Sequence, residues 1–190
     1  MLAPAHAGHL GLLQNWIKSG AADGSFDREL ATDSAESALF FANLRQALVV
    51  GYFVQVDLRG TLITRPASGY MYYPHLTGDR SHPIGFGLFK ALPQIGYELW
   101  LTGVDQAWRG QGHGHAMLSA MLLTPAGQLA YVVRVDPSGA SGATMQHLLE
   151  ALSFTIVRET ANLRWFVRAD APRDIAVRVR TAPLLRSYAH

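Results

Sequence analysis

Cysteine is absent from this chain of 190 residues. Disulfides, thiolate zinc sites and a cysteine nucleophile are therefore excluded, and a reducing, cytoplasmic location is the expectation. Lysine is nearly absent too. Lys18 and Lys90 are the only two, and the remaining positive charge is arginine without a cluster. A formal net charge of +2, with no basic stripe, argues against a nucleic-acid partner. No apolar run approaches the roughly 20 residues of a membrane span. The opening MLAPAHAGHLGLL has neither the basic region nor the long apolar run of a signal peptide, so no membrane contact is expected. His75, His82, His113 and His115 lack the three- or four-residue spacing of helical metal ligands, and no His-Glu-x-x-His occurs. The expected metal ligands are none.

What is present is a globular composition, 49% hydrophobic and 16% charged, large enough for one domain over 1–190 with its own core. Helical periodicity runs from about His9 to Ser19 and again from about Ser34 to Leu48, where Ser34 or Ser37 can cap. The β-branched and aromatic run from Val49 to Val56 reads as a strand, turned at Arg59-Gly60 into a shorter one over 61–64. Pattern is lost from Pro66 to Pro83, which reads as a long loop. Its Tyr70, Tyr72 and Tyr73 suit substrate contact or a homodimer interface. Strands follow at 84–91 and 97–104, then a helix from about Gly112, a strand at 130–135, a helix over 141–152, and strands at 154–158 and 163–168. An arginine-rich tail, 169–190, closes the chain. No internal repeat is visible.

The informative stretch is QIGYELWLTGVDQAWRGQGHGHAMLSAMLL, 94–123. Between its strand and its helix lie Arg109, Gly110, Gln111, Gly112, His113 and Gly114. Glycines at a strand-to-helix junction let main chain approach a bound group, and a helix start offers unpaired N–H donors to an anion. The dinucleotide fingerprint fails, because counting from Gly110 and Gly112 its third glycine falls on His115. The nucleoside-triphosphate loop fails for want of a lysine. Arg-x-x-Gly-x-Gly fits, as Arg109, Gly112 and Gly114, with Val104 ending the strand.

That motif resembles the pyrophosphate site of the GCN5-related N-acetyltransferases, the GNAT superfamily. The order of elements is similar over about residues 8–168. The resemblance implies an α/β (α+β) fold: a mixed, mostly antiparallel central sheet flanked by helices and splayed at its central strands. It implies acetyl-CoA as co-substrate, with Thr102, Gly103 and Val104 pairing its pantetheine arm. Amides from Arg109 through Gly110, Gln111, Gly112, His113 and Gly114 to His115 would hold the pyrophosphate. The activity implied is acetyl transfer to an amine of a small molecule or protein.

Such transfer needs a base for the ammonium proton and an acid for the departing thiolate. Glu98 matches the family's base on the central strand, where burial is expected to raise its pKa. Period two would place it with Trp100, Thr102 and Val104 on one face. The chain departs from the family at the acid. The family's Leu-Tyr-x-x-x-Gly-Phe is here Leu148-Leu149-Glu150-Ala151-Leu152-Ser153-Phe154, with leucine for the tyrosine, and Gly142 stands about where an asparagine is common. Ser138, Ser141 or Thr144 are then the candidate donors. Without one, either the thiolate leaves without help from the protein, or the alternative holds, a non-catalytic acyl-CoA-binding sensor or interaction module. The family's opening strand also has a poor counterpart in MLAPAHAG.

Overall fold

The structure, a computed structural model, describes residues 1–56, 61–74 and 82–181. Its strands are β1 (Leu2–Pro4), β2 (Tyr52–Val56), β3 (Leu62–Tyr72), β4 (Gly85–Leu92), β5 (Gly96–Val104), β6 (Ala130–Val135), β7 (Phe154–Thr160) and β8 (Leu163–Arg168). They form one sheet in the order β1-β3-β4-β5-β6-β8-β7, with β2 paired to the first half of β3. Only β5 and β6 run parallel; the other pairs are antiparallel. This is the mixed, mostly antiparallel α/β sheet that the resemblance implies.

Helices α1 (Leu10–Ala22) and α2 (Ala35–Val50) pack on one face, burying Leu13, Ile17, Phe40 and Leu44 against Phe86, Leu88 and Trp100. Helix α2 begins where the Ser34 side chain accepts from the Ser37 amide at 3.1 Å, and it ends at Gly51 in the left-handed region. On the other face lie α3 (His113–Leu122) and α5 (Gly142–Ala151), burying Met117, Met121 and Leu149 against Phe89, Leu99 and Val133. The short α4 (Pro125–Gln128) follows α3. Helix α3 lies close to β4 because β4 carries glycine there. A Cβ on Gly85 would come within 2.7 Å of the Met117 sulfur, and one on Gly87 within 2.3 Å of the Met121 sulfur.

Four expectations are corrected. The opening residues do supply a strand: β1 pairs with the end of β3, Leu2 opposite Tyr72, a contact to sequence 70 residues away that local pattern could not reveal. The loop expected over 66–83 is strand as far as Tyr72, because Ala67 to Tyr72 pair with β4 despite Pro66 and Gly69; residues 75–81 fall outside those described. Within the expected tail, α6 (Arg173–Thr181) buries Ile175 and Val179 against Val132, Trp165 and Val167. Val49 and Val50, read as the start of a strand, are the last turn of α2. The turn expected at Arg59-Gly60 also lies outside the described residues.

Candidate functional site

The parallel pair β5–β6 is joined only at its start. Its rungs are Tyr97 to Ala130, Glu98 to Val132 and Leu99 to Val133, and no rung follows. Trp100 to Val104 therefore leave β6 unpaired along that edge, and the two strands form a fork. Helix α3 starts beyond the end of one arm and α5 beyond the end of the other.

A β-bulge shapes the arm on β5. Leu88 pairs with Leu101 but Phe89 pairs with Leu99, so Trp100 is an extra residue. The uniform alternation expected for β5 is thereby corrected. Glu98 and Trp100 share their face with Leu101 and Gly103, whereas Thr102 and Val104 turn to the α3 face with Leu99.

At the end of this arm, Gly110 and Gly112 have φ of 77° and 81°, and a Cβ on either would meet nothing within 4 Å. The turn is therefore open to a ligand and takes a conformation that glycine adopts freely. Among the described residues, no protein group accepts from the amides of Gly110, Gln111, Gly112, His113, Gly114 or His115. Gly114 meets α5 closely, since a Cβ there would lie 3.3 Å from Leu148. His113 packs edge-on to Trp108 with centroids 5.5 Å apart, and His115 is exposed. Six free donors at the positive end of a helix, with room beside them, suit a pyrophosphate.

Arg109 is engaged within the protein. Its Nε donates to the Val104 carbonyl at 3.1 Å and its NH1 to Asp23 Oδ2 at 2.9 Å. One of the three main-chain positions expected to meet pantetheine thus has its carbonyl occupied. Thr102 Oγ1 donates to the Phe86 carbonyl at 3.0 Å, and Gly103 packs on Phe86 and Phe26.

Asp23 belongs to a strap that crosses the mouth of the fork. From it the Gly24 carbonyl accepts from the Ala140 amide at 3.1 Å, and the Ser25 and Ser141 hydroxyls lie 2.7 Å apart. The strap so touches the loop after each arm. Slight burial pushes the Asp23 carboxyl up, but hydrogen bonds from Ser25 and Arg109 and the guanidinium charge hold it below the usual range. Sequence periodicity marks 20–26 only as a loop and carries no sign of these contacts.

At the vertex of the fork sits a buried charged cluster. Both Glu98 oxygens accept from Arg134, Oε1 from Nε and Oε2 from NH2 at 2.8 Å, and Lys90 Nζ lies 3.8 Å from Oε2. Lys90 stands 4.5 Å over the Trp100 ring, and Arg134 stands 5.0 Å over Trp165. The expectation of a raised Glu98 pKa is corrected. Burial does push the carboxyl up, yet the Arg134 and Lys90 charges and the Arg134 hydrogen bonds outweigh it and hold it below the usual range. Burial lowers Lys90 to about 8 against the raising effect of the Glu98 charge, and the Arg134 and Arg65 charges lower it further. Sequence reasoning missed Lys90, Arg134 and Trp165. The available signal was one charge on each of three otherwise apolar strands.

The candidate proton donors are placed as follows. Ser138 Oγ donates to Asp136 Oδ1 at 2.6 Å, and Ser141 is paired with Ser25. Leu149 is buried in the core under α3 and α5. A side chain at Gly142 would come within 2.5 Å of the Asp136 carbonyl, which accounts for glycine at the place where asparagine is common. Among the described residues no three acidic or histidine side chains gather as a metal site, and no helix is long and apolar enough to cross a membrane.

No family model matches the sequence, and no curated protein does. Solved structures do. An acetyltransferase from Thermus thermophilus is 15% identical with a TM-score of 0.57, over 88% of this chain and 95% of that one. A GNAT-family acetyltransferase from Staphylococcus aureus is 12% identical with a TM-score of 0.55, over 88% and 97%. The PaiA N-acetyltransferase of Thermoplasma acidophilum, solved in complex with coenzyme A, is 11% identical with a TM-score of 0.52, again over 88% and 97%. At these identities the likeness is one of architecture, and it shows that this chain has the fold of the GNAT acetyltransferases.

Proposed function

We propose that the chain is an N-acyltransferase that uses acetyl-CoA and passes the acetyl group to an amine. The observation that carries this reading is the row of six unpaired amides, Gly110 to His115, set where β5 has parted from β6. The co-substrate supplies the activated thioester. The amides, with the α3 dipole behind them, hold its pyrophosphate, and the free edge of Thr102 and Gly103 orients its pantetheine. Glu98 keeps the Arg134 and Lys90 charges in place; with both oxygens bonded and its basicity lowered, it is a weak proton acceptor. Arg109 ties the glycine turn to β5 and to the strap.

Calorimetry with coenzyme A tests the reading. Gly112→Asp adds a carboxylate beside phosphate at a left-handed position and should weaken binding at least tenfold, with Arg109→Ala weakening it less. Equal affinity in both variants would overturn the pyrophosphate assignment.

A second reading, an acyl-CoA-binding module without catalysis, is favoured by one observation. Ser138 donates to Asp136, Ser141 is engaged with Ser25 and Leu149 carries no proton to give, which leaves Thr144, exposed on α5, as the remaining candidate donor for a departing thiolate. Release of free thiol from acetyl-CoA with a broad amine panel supports transfer. A raised melting temperature with acetyl-CoA but no thiol release supports the module.

A further inference from the structure

The cluster at the fork vertex holds more hydrogen-bond donors than the protein can use. Arg134 and Lys90 bring eight N–H groups between them by residue type. The one carboxylate among them, Glu98, has both oxygens taken by Arg134, and Lys90 at 3.8 Å stands beyond hydrogen-bond distance. These cations stand over the rings of Trp100 and Trp165, and the indole N–H of each ring is buried and has no partner. None of the four is at the surface: Lys90 is 4% exposed, Glu98 1%, Trp100 9% and Trp165 4%. Of the neighbouring charges, Arg158 lies over the Trp165 ring and donates to the Val179 carbonyl. Arg65 is near enough to lower Lys90 further.

Each unpaired buried N–H is destabilising, since it has given up its hydrogen bond to water and gained none. A buried cation that shares its single counter-charge with a second cation costs more, and apolar residues of the same size would fill the space at lower cost. What the cluster lacks is a group that only accepts and carries one negative charge. Its position supplies the rest. Glu98 is in the second rung of the β5–β6 pair, Arg134 follows the last rung on β6, and Trp100 follows it on β5. A ligand fixed there would lie at the point where the two arms diverge.

We propose that Lys90, beside Arg134 and the indole N–H groups of Trp100 and Trp165, binds a carboxylate carried by the amine acceptor, so that the acceptor class is amino acids and similar amino-carboxylates. This rests on the acyl-transfer reading for the word acceptor, but the binding site stands apart from it. Lys90, Arg134 and Glu98 together carry one surplus positive charge, which a singly charged carboxylate matches. The lowered Lys90 pKa agrees with an ammonium that waits for a counter-charge.

The test needs neither coenzyme nor turnover. Wild-type protein is titrated by thermal shift and calorimetry with a set of N-acetyl amino acids, with their carboxamides, and with acetate. The acids should raise the melting temperature and bind at least tenfold more tightly than the carboxamides, and acetate should bind more weakly than the best acid. Lys90→Met should abolish the difference between acid and amide, and Trp165→Phe, which keeps a ring and loses the N–H, should reduce it, both with an unchanged far-ultraviolet dichroism. Carboxamides equal to acids, no binding by either, or a preference that survives in Lys90→Met would each overturn the proposal. Acetate equal to the best acid would make the site one for free anions and overturn the acceptor class. Coenzyme A affinity, measured separately, judges the acyl-transfer reading. Its loss in wild type would sink that reading and leave the carboxylate result standing by itself.

Discussion

Arg109 reaches from the glycine turn to Asp23 at the end of α1, NH1 to Oδ2 at 2.9 Å, while its Nε holds the Val104 carbonyl. A residue suited to phosphate is thereby held by a carboxylate next to the six free amides. The two side chains are 42% and 32% exposed, so the pair itself contributes at most about 1 kcal/mol. The competition for the guanidinium matters more. Asp23→Asn should tighten coenzyme A binding about two- to fivefold by calorimetry, through a freed arginine and one less negative charge near the phosphates. Weaker binding would mean that the strap supports the site and does not compete with it.

Glu98→Gln separates structure from catalysis. Removing one charge from the buried pair leaves Arg134 and Lys90 uncompensated, which typically costs about 3–5 kcal/mol. The variant should lose that stability in denaturant titration while coenzyme affinity holds. The folded pKa of Glu98 lies below its unfolded value, so its stabilisation is present above the unfolded pKa and is lost as pH falls through the folded one. The acid limb of wild-type unfolding should therefore lie below about pH 4.3 and be diminished in Glu98→Gln. A stable variant with reduced kcat and an altered pH–rate profile would restore the glutamate as base.

Lys90 has the opposite consequence. Its folded pKa, about 8, lies below the unfolded value, so between the two the unfolded chain binds more protons and stability rises with pH. The facing groups are Glu98, Arg134 and Arg65, with the Phe53 and Trp100 rings. Wild type should gain stability between about pH 8 and 10.4, the ordinary lysine value, and Lys90→Met should show no such rise. At pH 7 the methionine variant should be more stable than wild type by on the order of 1–3 kcal/mol. A flat wild-type profile would show that the ammonium is already compensated.

The parts of this fold that could be read in sequence are those fixed locally. The helix over 113–122 follows from the spacing of Met117, Leu118 and Met121, the glycine turn from its composition, and β6 from a run of β-branched residues. What could not be read depends on distant partners. β1 is three residues paired 70 positions away, and the extension of β3 is held by β4 across Pro66 and Gly69. The extra residue in β5, Trp100, shifts each later side chain to the other face, and alternation alone cannot locate such a shift. The same holds for the site. The amides of 110–115 are legible from glycine, whereas Lys90, Glu98 and Arg134 become one cluster only once three strands lie side by side.

Ser153 offers a check on the register of the α5–β7 turn. It has φ of 64°, the left-handed region, at the place where the family pattern carries glycine. A non-glycine residue there costs about 1–2 kcal/mol. Ser153→Gly should recover about 1 kcal/mol in chemical denaturation and leave ligand binding unchanged. A loss of stability would place the strain elsewhere in the turn.

Leu149 is where the chain departs most plainly from the family's run, and its surroundings decide what a tyrosine would do there. It is 1% exposed and belongs to the core with Phe89, Leu99, Met117 and Val133, while its neighbour Leu148 packs over Gly114 at the start of α3. A tyrosine at 149 must find room for a ring in a filled layer and an acceptor for its hydroxyl. Overpacking of this kind costs about 1–3 kcal/mol, and an unpaired buried hydroxyl adds to it. Leu149→Tyr should therefore lower the melting temperature and bring no gain in thiol release from acetyl-CoA. The opposite result, unchanged melting with release raised toward the ~100-fold or more that an acid can supply, would mean that this position opens into the fork. The leucine would then be the reason for slow transfer in the native chain.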